Sequence, residues 1–125
     1  MKTILLADDN ADMVELVKLV LGNSGYRIVI ETDGDSAVAA CLSQRPDMVL
    51  MDINMPGMDG LNVTRTLRAQ GFDRPIVILT ASEDEQDRRR AEECGCNGYI
   101  IKTMDMAEVE PMVDRFLAEA GSGLD

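Results

Sequence analysis

Short apolar runs recur along the chain and predict the strands of a β-sheet. Continuous runs of this kind are typical of strands that are buried on both faces. A fifth segment, Tyr26–Glu31, largely alternates between apolar and polar residues, which favours a strand at the edge of the sheet. The four continuous runs are Thr3–Ala7, Met48–Met51, Pro75–Leu79 and Tyr99–Ile101.

Segments with helical periodicity lie between the predicted strands. In the first of them the apolar residues recur three and four positions apart, and a glycine follows its last residue. A fifth helix begins near Asp105, where Asp105 and Glu108 have the spacing of a capping box. The other four predicted helices are Asp12–Leu21, Ser36–Gln44, Leu61–Gln70 and Glu83–Glu93.

The regular alternation of strands and helices predicts an α/β fold with a doubly wound, five-stranded parallel sheet. No linker or low-complexity segment divides the chain of 125 residues. We therefore expect a single domain over residues 1–125, with an ordered core at about residues 2–120 and a short tail at 121–125.

The charge of the chain narrows the classes of partner. The formal net charge is −11, from 23 acidic and 12 basic residues. A surface this negative repels nucleic acid and anionic lipid, so we expect neither a nucleic-acid nor a membrane partner. The absence of histidine excludes a histidine metal site, and the three cysteines are expected to be free thiols. No apolar run is long enough for a signal peptide or a membrane span, so the expected location is cytoplasmic.

Acidic residues follow two of the predicted strands at the point where each strand ends. Asp8 and Asp9 follow the first strand, and Asp52 follows the third. If these strands are neighbours in the sheet, the three carboxylates share a pocket at its carboxyl edge, the usual site of chemistry in such folds. Clustered carboxylates repel one another unless a cation is present, and Mg²⁺ prefers oxygen ligands of this kind. The sequence therefore predicts a Mg²⁺ site.

The combination of these residues with three further motifs resembles the receiver domain of bacterial two-component response regulators. Each motif is weak alone, but together they occur in order and each lies at a strand end. The resemblance covers about residues 2–120 and implies a flavodoxin-like (βα)5 fold with strand order 2-1-3-4-5. The motifs are Asp8-Asp9, Asp52 with Met55-Pro56-Gly57-Met58-Asp59-Gly60, Thr80-Ala81, and Gly98-Tyr99-Ile100-Ile101-Lys102.

The resemblance implies a role for each acidic residue. Asp52 would accept a phosphoryl group from a phosphohistidine donor. Mg²⁺ (or Mn²⁺) would be bound directly by Asp9, by Asp52 and by the backbone carbonyl of Asn54, while Asp8 would act mainly through water. This is chemically sound, since phosphoryl transfer depends on positioning and on neutralisation of charge.

The resemblance also implies roles for three residues near the ends of the last two strands. Lys102 would pair with Asp52 and then with a phosphoryl oxygen, Thr80 would be the switch hydroxyl, and Tyr99 would turn inward when that hydroxyl moves. Taken without this context, Thr80 is equally an ordinary strand residue, and Tyr99 is a half-buried sheet residue with a polar tip.

The implied function is that of a signalling protein rather than an enzyme, with possible intrinsic self-dephosphorylation. Its partners would be a sensor histidine kinase or a histidine phosphotransfer protein, and a downstream protein that binds the face of the fourth helix, fifth strand and fifth helix. The run Arg88-Arg89-Arg90 is flanked by acidic residues at four-residue spacing, which favours a solvated helix face over nucleic-acid binding. A phosphorelay intermediate, a phosphate sink and a receiver excised from a larger regulator are the alternatives.

Two residues depart from the family pattern. Thr103 follows Lys102 where receivers usually have proline, often with a cis bond, and a cis bond is far costlier without proline. Pro111 lies inside the last predicted helix and either kinks it or shifts its start. We therefore expect an atypical output face.

Three rival chemistries fit the sequence less well. A calcium loop of the EF-hand type starting at Asp8 would have Met13 and Leu19 at essential positions. A phosphatase of the haloacid dehalogenase group needs a general acid where this chain has Asn54. A flavin phosphate would meet fixed anions after the first strand, where it needs donors.

Overall fold

The computed structural model describes residues 1–81, 83–102 and 109–122. Of these, residues 120–122 are described by their backbone alone. Its five strands form one parallel sheet in the order β2-β1-β3-β4-β5, which confirms the predicted sheet and strand order. Edge strand β2 is partly exposed along its length, as its alternating pattern predicted. The strands are β1 Thr3–Ala7, β2 Arg27–Glu31, β3 Met48–Met51, β4 Ile76–Thr80 and β5 Gly98–Ile101.

Each of the first four helices begins directly after a side chain that caps it. The carboxylate or amide oxygen of the cap accepts a hydrogen bond from a backbone N–H in the first turn, which would otherwise lack a partner. These caps are Asn10, Asp33, Asp59 and Asp84. The helices are α1 Ala11–Gly22, α2 Gly34–Gln44, α3 Gly60–Ala69, α4 Glu85–Glu93 and α5 Val109–Ser122.

The helices pack on both faces of the sheet and bury one apolar cluster on each. Alternate residues of a strand face opposite sides, so Leu5 and Ala7 of β1 belong to the cluster under α2 and α3, while Ile4 and Leu6 belong to the cluster under α1 and α5. The largest fully buried side chain is Phe72. Burial of a side chain of this kind stabilises the fold by roughly 1.5–3 kcal/mol.

The C-terminal part of the chain is described from Val109 onward. Pro111 is the third residue of the described helix α5, and Gly121 and Ser122, which the sequence predicts to lie in the tail, are the last two residues of this helix. The predicted capping box at Asp105 and Glu108 and the Lys102–Thr103 connection lie outside the described residues. No helix in the described part of the chain combines the length and the apolar character of a membrane span.

Candidate functional site

The carboxylates of Asp8, Asp9 and Asp52 meet at the carboxyl edge of the sheet. In the pairing of β1 with β3, Ala7 lies opposite Met51, so the residues that follow them are also neighbours. One oxygen from each of the three carboxylates lies within 4.8 Å of the others. Asp8 is 1% exposed and Asp52 7%, whereas Asp9 faces solvent. The structure therefore brings together the three acidic residues that the sequence singled out.

Backbone hydrogen bonds extend the sheet by one residue and hold the two buried carboxylates in place. The N–H of Asp8 donates to the carbonyl of Glu31 at 3.1 Å, and the N–H of Asp52 donates to the carbonyl of Ala7 at 2.9 Å. The side chain of Asp8 also accepts a hydrogen bond on Oδ1 from the N–H of Asn10, at 2.9 Å. Asn10 caps α1 as well, so the start of this helix is tied to the site.

Lys102 reaches the cluster from the end of β5. Its Nζ lies 2.7 Å from Oδ2 of Asp8 and 3.2 Å from Oδ2 of Asp52. The Lys102 side chain is 13% exposed, and its backbone N–H donates to the carbonyl of Thr80 at 2.7 Å. The predicted pairing of Lys102 with Asp52 is present, but the shorter contact is with Asp8.

Burial and charge shift the pKa values of Asp52 and Lys102. Burial raises the pKa of Asp52 more than the nearby charge of Lys102 lowers it, and the carboxylate of Asp8 adds to the rise. Burial acts to lower the pKa of Lys102, but the hydrogen bond and charge of Asp8 and the charge of Asp52 outweigh it and raise that pKa. Lys102 therefore carries a positive charge at neutral pH.

The donor set suits a small divalent cation. One ammonium group faces three carboxylates, which leaves an excess of two negative charges in a partly buried pocket. Oδ2 of Asp8 is buried, and its partner among the described residues is the ammonium of Lys102, 2.7 Å away. A buried oxygen of this kind is suited to a metal-bound water. Among the residues that the structure describes, this is the one cluster of three or more such ligands.

The other predicted site residues lie around this cluster. Thr80 is fully buried at the end of β4, opposite Ile101 of β5. Tyr99 is half-buried, packs against the cluster under α2 and α3, and lines a cleft of about 220 Å³ beside Arg88 of α4. Asn54 is exposed, and its backbone N–H acts to lower the pKa of Asp52, against the larger effect of burial.

Two glycines allow close backbone contacts beside the site. A Cβ at Gly60 would lie 2.0 Å from the carbonyl oxygen of Asp52, so only glycine allows α3 to start this close to the acceptor strand. A Cβ at Gly34 would lie 1.9 Å from the carbonyl oxygen of Met58. The sequence marks Gly60 by the motif around it, but offers no signal for the contact of Gly34, which joins segments far apart in the chain.

Comparisons with known proteins agree with this geometry. The transcriptional regulatory protein PrrA of Mycobacterium tuberculosis is 34% identical over 119 residues, which are 95% of this chain and 51% of PrrA. The activated N-terminal receiver domain of RstA from Klebsiella pneumoniae, with BeF3, is 32% identical with a TM-score of 0.88, and the match covers 93% of this chain and 98% of that domain.

A further solved structure is the receiver domain of the sensor histidine kinase PA1611 from Pseudomonas aeruginosa PAO1, which has a magnesium ion coordinated in its active site cleft. It is 34% identical with a TM-score of 0.86, and the match covers 94% of this chain and 98% of that domain. The chain spans about half the length of the curated relatives it matches.

The family comparison covers most of the chain. The sequence matches the family described as the response regulator receiver domain over residues 4–114. The matched segment includes β2 to β5, all of β1 except Thr3, and every carboxylate of the cluster. The chain therefore belongs to the response regulator receiver domain family, the receiver domains of two-component signalling systems.

Proposed function

We propose that Asp52 accepts a phosphoryl group from a phosphohistidine donor protein. The observation that carries this proposal is the environment of its carboxylate, which is nearly buried, lies 3.2 Å from the ammonium of Lys102 and belongs to a cluster with Asp8 and Asp9. A carboxylate that only closed a strand would not need two acidic neighbours, whose repulsion is unfavourable unless a cation is bound.

The proposed transfer needs little covalent help from the protein. An Oδ atom of Asp52 forms a bond to phosphorus while the bond between phosphorus and the donor's imidazole nitrogen breaks, and the imidazole takes up a proton and leaves neutral. Asp52 must be ionised to attack, and the charge of Lys102 opposes the effect of burial on its pKa. After the transfer, the same ammonium is placed to pair with a phosphoryl oxygen.

The residues of the cluster fit a bound Mg²⁺ or Mn²⁺. Asp9, Asp52 and the backbone carbonyl of Asn54 would hold the metal, and the buried oxygen of Asp8 would accept from one of its waters. The metal would neutralise the charge on the acceptor and on the phosphoryl oxygens. In the receiver of PA1611 a magnesium ion occupies the active site cleft, which supports the assignment.

Thr80 and Tyr99 would convert phosphorylation into a change of surface. Thr80 ends the strand between Asp52 and Lys102, and Tyr99 lies in β5 beside the cleft to α4. We propose that the Thr80 hydroxyl bonds the phosphoryl group, that Tyr99 then turns inward, and that a downstream protein reads the face of α4, β5 and α5. Arg90 of α4 pairs with Asp87, so part of the arginine run is satisfied within the helix.

The proposed role is that of a phosphoacceptor rather than an enzyme with a substrate of its own, and any hydrolysis would be self-dephosphorylation. The donor would be a sensor histidine kinase or a histidine phosphotransfer protein in the cytoplasm. A phosphorelay intermediate, a phosphate sink and a receiver within a longer regulator would use the same site. Phosphotransfer profiling against purified kinases, followed by a pull-down with the beryllofluoride form, separates these roles.

Acetyl phosphate provides the simplest test of the acceptor. We expect acetyl phosphate with Mg²⁺ to add one phosphoryl group to the protein, as read by intact mass. The Asp52→Ala variant should not be modified, while Asp73→Ala, which removes an exposed carboxylate outside the cluster, should behave as the unmodified sequence does. A mass shift that persists in Asp52→Ala would show that the acceptor is another residue.

A further inference from the structure

Backbone contacts hold the loop between β3 and α3, residues 53–59, at both ends and in the middle. The N–H of Gly60 donates to the carbonyl of Ile53 at 2.8 Å, which closes the loop. In the middle, the carbonyl of Pro56 accepts a hydrogen bond at 3.2 Å from the N–H of Gly34, the first residue of α2.

Gly34 also lies in direct contact with the backbone of this loop. A Cβ at this position would lie 1.9 Å from the carbonyl oxygen of Met58, 2.7 Å from its carbonyl carbon and 2.7 Å from its Cβ. The clash would be with backbone atoms, so a side chain at residue 34 could be accommodated only if the loop or the start of α2 moved.

The start of α2 is held more firmly than the loop. Its cap, Asp33, accepts a hydrogen bond from the N–H of Ser36 at 2.8 Å, and Ala37 one turn further on is fully buried. In the loop, Ile53 is buried in the apolar core, whereas Asn54, Pro56 and Gly57 are exposed and the two methionines are only partly buried. Beyond Ile53, the position of the loop therefore depends on its backbone contacts more than on apolar packing.

We propose that Gly34 is a positioning residue for the metal site. Its contact with the loop sets the place of residues 54–58, and with them the backbone carbonyl of Asn54. This inference rests on the proposed function, since it assigns to Asn54 a place in the Mg²⁺ site. A shift of the loop by the width of a methyl group would move a ligand carbonyl out of the narrow geometry that Mg²⁺ requires.

The Gly34→Ala variant tests this inference, with Gly22→Ala as its matched control. Gly22 also lies in a helix, and a Cβ there has nothing within 4 Å. We expect Gly34→Ala to shift the amide NMR signals of residues 53–58 in the metal-free protein. We also expect it to weaken Mg²⁺ binding by about tenfold, which is the typical effect of losing a residue that holds a metal ligand in position. Gly22→Ala should bind Mg²⁺ as the unmodified sequence does.

A purely structural role predicts a different result. In that case Gly34→Ala would lower the thermal midpoint while its Mg²⁺ dissociation constant, measured by NMR titration of folded protein, stayed within about twofold of the original; that result would overturn the inference. Failure of the unmodified sequence to bind Mg²⁺ or to accept a phosphoryl group would instead contradict the proposed function.

A second variant decides the question if Gly34→Ala does not fold. Gly57, in the exposed part of the loop, has a φ of +77°, and a Cβ there would lie 2.9 Å from Oδ2 of Asp35, the residue after Gly34. Gly57→Ala therefore disturbs, from the loop side, a second contact between the loop and the start of α2. We expect weaker Mg²⁺ binding by several-fold with the fold intact, and unchanged binding would contradict the positioning role.

Discussion

The ammonium of Lys102 lies 2.7 Å from Oδ2 of Asp8, closer than to Asp52, whose Oδ2 is 3.2 Å away. Lys102 thus neutralises a carboxylate that is almost fully buried, and it is shared between two acids. Because a metal ion would supply positive charge to the same carboxylates, Lys102 could then turn towards the acceptor. The pair is therefore central both to the stability of the site and to its chemistry.

Removal of the ammonium should destabilise the metal-free protein. In Lys102→Ala, Asp8 and Asp52 remain buried beside each other with no positive charge from this residue, and breaking a buried pair in this way costs about 3 kcal/mol of the free energy of unfolding. Because Mg²⁺ would replace part of the missing charge, we expect it to raise the thermal midpoint of the variant more than that of the unmodified sequence. Equal Mg²⁺ effects in the two proteins would argue against a shared charge site.

The exposed carboxylate of the cluster should be needed for the metal but not for the fold. Asp9 faces solvent, so Asp9→Ala should leave the free energy of unfolding within about 0.5 kcal/mol. We expect its Mg²⁺ affinity to fall by roughly tenfold or more, because a direct ligand is lost. Calorimetric titration measures the Mg²⁺ affinity of this variant and of the control Asp73→Ala. An unchanged affinity in Asp9→Ala would exclude Asp9 as a metal ligand.

The hydroxyl of Thr80 should be needed for the switch but not for occupancy of the site. We expect Thr80→Ala to bind beryllofluoride with Mg²⁺, as fluorine NMR would show, because its hydroxyl is not a metal ligand in the proposed site. The aromatic signals of Tyr99 should respond much less to beryllofluoride than in the unmodified sequence. Full response of Tyr99 in the variant would remove Thr80 from the proposed switch.

Tyr26, which lies far from the acidic cluster, makes the stability of the fold depend on pH. Burial and then its hydrogen bond to Asp114 raise the pKa of Tyr26 from 10.0 to about 12 in the folded protein. A group with a raised folded pKa adds stability that is fully present below its unfolded pKa and is lost as the pH rises through the folded value. Urea unfolding at pH 9 and pH 11 should therefore show a smaller loss for Tyr26→Phe than for the unmodified sequence. Equal losses would contradict the hydrogen-bonded state of Tyr26.

The sequence predicted the sheet and the acidic cluster because both follow from local patterns. The runs Thr3–Ala7 and Met48–Met51 match β1 and β3 at both ends, since strands buried on two faces are apolar throughout. Once these strands are neighbours, Asp8 and Asp52 must meet, because parallel strands end at the same edge. A register one residue different would have separated them.

Other features depend on contacts that no local pattern encodes. Helix α4 begins at Glu85 rather than Glu83 because the side chain of Asp84 caps it. Acidic residues occupy positions 83, 84 and 85, and the sequence does not indicate which of them is the cap. The short distance from Lys102 to Asp8 depends on the conformation of one flexible side chain that can reach two carboxylates. The contact of Gly34 with the backbone of Met58 joins the start of α2 to the loop before α3, and only the folded chain brings these two segments together.

The most direct test of the central claim is to identify the residue that carries the phosphoryl group. The protein is phosphorylated with acetyl phosphate and Mg²⁺ and treated with borohydride, which reduces an acyl phosphate to an alcohol, and the peptides are sequenced by tandem mass spectrometry. We expect the reduced residue at position 52 and at no other carboxylate. Reduction at Asp8, Asp9 or a carboxylate outside the cluster, with Asp52 intact, would contradict the account.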